Sequence, residues 1–238
     1  MTIFLFCPYY YVMINTTKLK YQPYRASALR VIRENIINLE IAPGIMISEQ
    51  DIAEELNISR TPVHEALQEL SRTKIVEILP QKGNRVSLID MKLVNEAVFM
   101  RKTIESAVTE EACSIATPKD IEELEENVIL QDFYKNSDKY EKMFELDNRF
   151  HEKMYSITDK MQCLYMVRLM NIHFDRLREM TLETGKTSGR IVEHHKEILN
   201  AFKEHDPEKA RDALLRHLST LAVDEKEVRK QHPEYFSE

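Results

Sequence analysis

Residues 57–70 read NISRTPVHEALQEL. Val63, Ala66, Leu67 and Leu70 fall three or four positions apart and predict an amphipathic helix. Ser59 stands where an N-cap belongs, its hydroxyl available to an orphan backbone N–H. Pro62 is tolerated in the first turn, because its missing N–H would have no intrahelical acceptor there. Arg60, Thr61 and His64 lie off the apolar stripe. They crowd the first turn and its exposed side, the part of a helix that meets an anion or enters a DNA groove.

The flanks extend this unit. Leu29, Ile32, Ile36 and Leu39 predict an amphipathic helix over 23–41, ended by APG at 42–44. Ser48 then caps a second helix, with Asp51 three residues on and Ile52, Ala53 and Leu56 on its buried side. After Thr73, KIVEIL and NRVSLI alternate apolar and polar residues around PQKG, which predicts a β-hairpin with a basic tip. Helix, helix, turn, helix, hairpin is a winged helix-turn-helix, here over 21–90. Short helix pairs also build small domains with no DNA role. The basic helix entry and the basic hairpin tip in one unit favour the DNA-binding reading.

From Met91 onward the strand pattern disappears. Amphipathic segments run over about 91–116, 119–135, 138–157, 160–182, 187–204 and 207–229, with TPKD, NSDK, TDK, TGKTSG and HDPE as breaks or caps. The expected fold class is mainly α: the winged unit, then an antiparallel six-helix bundle over 91–230. Tails remain at 1–20 and 231–238. The opening MTIFLFCPYYYVMI is apolar but has no basic leader and no small-residue cleavage site, and it is too short to span a bilayer. Met13 is an equal candidate for the first residue.

The 238 residues carry a formal charge of −7, which at first argues against a nucleic-acid partner. The distribution removes that objection. Lys18 to Asp90 holds ten basic and ten acidic residues, so the deficit lies wholly beyond Met91. A neutral front half can still present a basic face. Cys7, Cys113 and Cys163 are odd in number and form no CxxC, which suits reduced thiols in a cytoplasmic protein.

The segment LEIAPGIMISEQDIAEELNISRTPVHEALQELSRTKIVEILPQKGNRV closely resembles the DNA-binding domain of GntR-family transcription regulators. Pro-Gly, Ser-Arg-Thr-Pro-Val, Glu-Ala-Leu and the Gly-tipped wing fall in order, and the likeness covers nearly all of 25–90. The helical remainder resembles the FadR-type C-terminal domain (FCD), in its shorter, VanR-like variety. The resemblance implies a homodimer that reads a pseudo-palindromic double-stranded operator. Its recognition helix, starting near Ser59, would enter the major groove and its wing the minor groove. Arg60, Thr61 and His64 would then contact DNA, with Gly83 letting the wing approach closely. The family usually has Arg where His64 stands, and Glu-Gly where Thr73-Lys74 stand, so operator sequence does not carry over.

DNRFH places Asp147 and His151 at i and i+4, on one helix face. His195 and His217 lie on the last two helical segments. Taken alone, the Asp-x₃-His pair is usually a solvated face or a structural hydrogen bond. The resemblance implies a metal, because many FCD domains bind one through such a pair and two later histidines at this spacing. HKEIL then selects His195 over His194. One carboxylate and three imidazoles suit a divalent ion, zinc first, with nickel, manganese or iron as alternatives. Arg101, in MRKTIESA, is a surface arginine on its own reading. By resemblance it clamps the carboxylate of a small organic acid effector, with Arg178 and Arg176 assisting. A buried guanidinium would require such an anion. The implied function is a ligand-responsive transcription regulator, a repressor, without catalysis or a membrane partner. The alternatives are a metal-dependent enzyme on a helical bundle and an architectural DNA-binding protein.

Overall fold

A computed structural model describes residues 24–137, 139–183, 187–219 and 221–237. The expected tail 1–20 and the choice of Met13 lie outside the described residues. The chain divides into two compact units, the first ending at Leu88 and the second starting at Ile89.

In the first unit, α1 (Tyr24–Ile37) is followed by β1 (Met46–Ile47), α2 (Glu49–Glu55), α3 (Arg60–Arg72), β2 (Val76–Leu79) and β3 (Gly83–Val86). Val63, Ala66, Leu67 and Leu70 are buried along α3, which packs on α1, α2 and β2. Ser48 caps α2 by accepting from the Asp51 N–H at 3.2 Å. Ser59 is the N-cap residue of α3, but its side chain makes no cap hydrogen bond. The first helix differs from expectation. It ends at Ile37, buries Ala28, Val31, Ile32 and Ile36, and leaves Leu39 half-buried beyond its end at φ 61°. The hairpin pairs Val76 with Val86 and Leu79 with Gly83, and β1 adds a third antiparallel strand against β3. The sequence reading missed β1, because two residues after Gly44 carry no periodicity.

The second unit holds α4 (Met91–Ile115), α5 (Pro118–Tyr134), α6 (Tyr140–Ile157), α7 (Met161–Met170), α8 (Ile172–Glu183), α9 (Ser188–Glu204), α10 (Pro207–Leu218) and α11 (Leu221–Gln231). Two of the six expected segments are therefore split: 160–182 at Asn171, and 207–229 after Leu218. Asn171 begins α8 with its own bonds, its carbonyl accepting from Asp175 N–H and its side-chain amide donating to Asp175 Oδ1. The core gathers Val108, Ala112, Leu124, Phe150, Tyr155, Ile198, Phe202 and Leu214 from α4, α5, α6, α9 and α10. The residues after α11 are no free tail. Ile89 N–H donates to Tyr235 and Ser237 N–H donates to Ile89, burying Phe236 beside the start of α4.

Candidate metal centre and DNA-contacting surface

Asp147 and His151 project from one face of α6, His195 from α9 and His217 from α10. One ligand atom from each lies within 4.8 Å of all the others. The Nε2 atoms of His151 and His217 are 3.1 Å apart, and His195 Nε2 is 3.6 Å from Asp147 Oδ1. Two nitrogens that share one ion at about 2.1 Å are roughly 3.0–3.4 Å apart, for octahedral or tetrahedral angles alike. Buried Asp147 Oδ1 and His195 Nε2 have no hydrogen-bond partner, while Asp147 Oδ2 is held in an ion pair by Arg178. Native proteins rarely leave such atoms orphaned, so these donors fit a cation. His194, the rejected neighbour, is half-buried and outside this donor set.

The protonation states also suit a cation. Burial, with the neighbouring His151 adding, drives the His195 imidazole well below its ordinary range, and burial does the same to His217. Both rings are held neutral, the form that offers a lone pair. Burial would raise the Asp147 carboxyl, but Arg178 above all outweighs it and keeps Asp147 ionised.

Two partners that sequence reading missed orient the rings. Gln131 Oε1, on α5, sits 2.8 Å from His195 Nδ1. It therefore accepts a hydrogen bond from His195 Nδ1–H, which keeps the proton on Nδ1 and leaves Nε2 for the site. Glu105 Oε2, on α4, lies 2.8 Å from His151 Nδ1, close though off the hydrogen-bond direction. Signals for both existed: Glu105 falls in register with Ala97, Arg101, Val108 and Ala112, and Gln131 with Leu124 and Val128, so each is a polar residue on an apolar stripe.

Arg101 is buried, not a surface residue, and stacks on Phe174 at 4.9 Å. Its Nε and Nη2 donate to Glu105 at 2.7 and 3.2 Å. The argument that Arg101 requires an effector's carboxylate for balance therefore falls, because Glu105 supplies the charge. Arg178 lies over Phe144, 3.0 Å from Asp147 Oδ2, and donates to Asn148. Arg176, expected to assist, instead lies 2.8 Å from His173 Nδ1.

In the first unit, Arg60, Thr61 and His64 are exposed along the first turns of α3. Gly83 opens β3 at φ 103°. A Cβ there would meet Met46 only at an ordinary 3.6 Å, so the backbone angle rather than space calls for glycine. Glu49, at the first position of α2, binds Arg60, His64 and Asn84 together. Lys74 adopts φ 61° after the α3 C-cap, the left-handed position that glycine usually fills.

Comparison with known proteins agrees with both halves. The model for "Bacterial regulatory proteins, gntR family" matches residues 26–86, and the FCD domain model matches 96–220. The chain is 29% identical to the HTH-type transcriptional repressor RspR of Escherichia coli over 91% of this chain and 95% of that one. It is 31% identical to an HTH-type transcriptional regulator from an unstable DNA locus of Streptomyces ambofaciens, over 87% and 86%. The solved structure of E. coli McbR/YncC superposes with a TM-score of 0.77 at 18% identity, covering 89% of this chain and all of that one, a likeness of fold. The two sequence relatives and the family model are transcription regulators and not enzymes, which sets aside the metal-dependent enzyme. No helix of the described residues is long and apolar enough to cross a membrane. The chain belongs to the GntR family of transcription regulators, with an FCD domain behind its helix-turn-helix.

Proposed function

We propose that this protein is a cytoplasmic, homodimeric repressor whose helical unit holds a divalent metal ion and responds to a small carboxylate. The observation that carries the reading is the convergence of Asp147, His151, His195 and His217, with orphaned acceptors facing one another in a buried site. Zinc suits this donor set first; nickel, manganese and iron share it. When bound, the ion supplies a Lewis-acidic centre for oxygen ligands.

The charges around the site favour an anionic effector. Glu105, Asp147 and Asp175 are linked through ion pairs to Arg101 and Arg178, one negative charge in excess. A divalent ion turns that excess positive, and a carboxylate cancels it. Arg101 and Arg178 keep N–H donors beyond those turned to Glu105, Asn148 and Asp147, so either fork can meet a carboxylate oxygen. Arg60, Thr61, His64 and Gly83 would form the operator surface of each protomer. A repressor's name on one relative supports the sign of regulation.

The test is an operator selected from random duplexes by the full-length protein, followed by binding measured with a panel of small organic acids. An inverted repeat should emerge, and one or more acids should weaken binding in metal-loaded protein but not after chelation. Absence of an inverted repeat would contradict the dimeric reading. A response confined to uncharged compounds would contradict the carboxylate.

A further inference from the structure

Glu49 follows Ser48, the N-cap of α2, in the first turn, where exposed backbone N–H groups favour a carboxylate. Its side chain is only 17% exposed, and it collects three side chains from two other elements. Arg60 Nη2, from the start of α3, donates to Oε2 at 3.2 Å. His64 Nδ1, one turn on, is 2.8 Å from Oε1. Asn84 Nδ2, from wing strand β3, donates to Oε1 at 3.3 Å. Burial raises the Glu49 carboxyl, but the hydrogen bonds from His64, Arg60 and Asn84 outweigh it and leave the group ionised. An ionised carboxylate only accepts, so the proton between it and His64 resides on Nδ1.

This settles what the other edge of the ring can do. His64 is exposed, with Nε2 on the ring edge away from Glu49. With Nδ1–H held by Glu49, neutral His64 offers only a lone pair at Nε2. Protonated His64 offers an N–H there. Phosphate oxygens and the guanine O6 and N7 edge are acceptors, so they meet a donor only in the protonated state. Arg60 is the other cation facing this carboxylate. One of its five N–H groups goes to Glu49, and the remaining four are free for a base or a phosphate.

We propose that Glu49 is a positioning residue of the operator-binding surface and that, by holding the Nδ1 proton of His64, it ties operator affinity to the protonation of His64. The inference rests on the reading that the first turns of α3 meet DNA. Operator affinity therefore rises as pH falls, because only the protonated ring carries an Nε2–H donor. The same carboxylate bridges α3 and the wing, so it also fixes the spacing between the two DNA-facing elements.

The test uses full-length protein and its selected duplex at fixed salt, at about pH 6 and about pH 8, either side of the ordinary imidazole range. The parent protein should bind roughly ten-fold more tightly at the lower pH for each His64, the value of one charge-assisted hydrogen bond, and so up to about a hundred-fold for the two protomers of a dimer. His64→Arg carries a permanent charge and should bind equally at both. Glu49→Gln should lose most of the pH effect, because an amide can present either an N–H or a carbonyl to the ring. Three results would overturn the proposal: His64→Arg that keeps the parent's pH dependence, Glu49→Gln that keeps it, or affinity that rises with pH. Arg60→Ala that binds like the parent would remove the α3 reading on which the proposal rests.

Discussion

Replacing Glu105 with Gln separates the structural and metal-supporting roles of one buried carboxylate. Glu105 and Arg101 are each about 4% exposed and meet at 2.7 and 3.2 Å. Burial alone would raise the Glu105 carboxyl; the Arg101 charge and then His151 overcome it and hold Glu105 well below the usual carboxylate range. Removing that charge takes away the carboxylate that Arg101 hydrogen-bonds and leaves only the more distant Asp147 and Asp175 as counter-charges; breaking a buried pair costs about 3–5 kcal/mol. The amide keeps the shape and one acceptor, so the loss should lie near the lower end, about 3 kcal/mol. Urea unfolding of chelated protein measures it. The paired change Arg101→Met with Glu105→Leu removes both charges and should recover most of that stability. It should not recover metal affinity. The His151 ring loses its carboxylate neighbour in both variants, and affinity should drop about ten- to a hundred-fold. A Glu105→Gln variant that loses less than about 1 kcal/mol and binds metal like the parent would refute this reasoning.

The remaining predictions concern pH and backbone. His195 and His217 are held neutral in the folded state, so the unfolded chain takes up protons first as pH falls. Their contribution to the stability of chelated protein is complete above the ordinary value of 6.5 and is lost below it, at up to about 1.4 kcal/mol per pH unit for each ring. Denaturant midpoints that stay flat from neutral to mildly acid pH would contradict this. Lys74→Gly should stabilise the first unit by about 0.5–1 kcal/mol, since glycine occupies the left-handed position without a Cβ penalty. A lower unfolding midpoint for that variant would mean that contacts of the Lys74 side chain outweigh its backbone strain.

The sequence was most legible where apolar periodicity and turn chemistry coincide. Val63, Ala66, Leu67 and Leu70 mark α3 without ambiguity, and PQKG between alternating runs marks the wing. It was least legible in α8. Described residues from Ile172 to Leu182 are buried on every side, His173, Asp175, Arg176, Arg178 and Glu179 among them. Charged residues in a helix ordinarily mark its solvated face, so no amphipathic stripe sets α8 apart from α7. The break at Asn171 carries neither Gly nor Pro, and its cap bonds form only with Asp175 in place. Among site residues, i,i+4 spacing put Asp147 and His151 on one helix face, the family resemblance supplied His195 and His217, and the four converge. Glu105 and Gln131 escaped because a polar residue on an apolar stripe is weighed as an exception rather than as a ligand's support. The buried environment of Arg101 came only by resemblance, and its counter-charge one turn away at Glu105 was not read from the sequence.

The central claim is that the buried aspartate and three histidines hold a metal. The direct measurement is metal content after chelation, reconstitution with zinc and removal of free ion, for the parent, His195→Ala, His217→Ala and His194→Ala. The account predicts about one divalent ion per chain in the parent and in His194→Ala, with a large loss in His195→Ala and His217→Ala, each of which removes a ligand. A parent stoichiometry near zero, or an equal loss in all three variants, would contradict it.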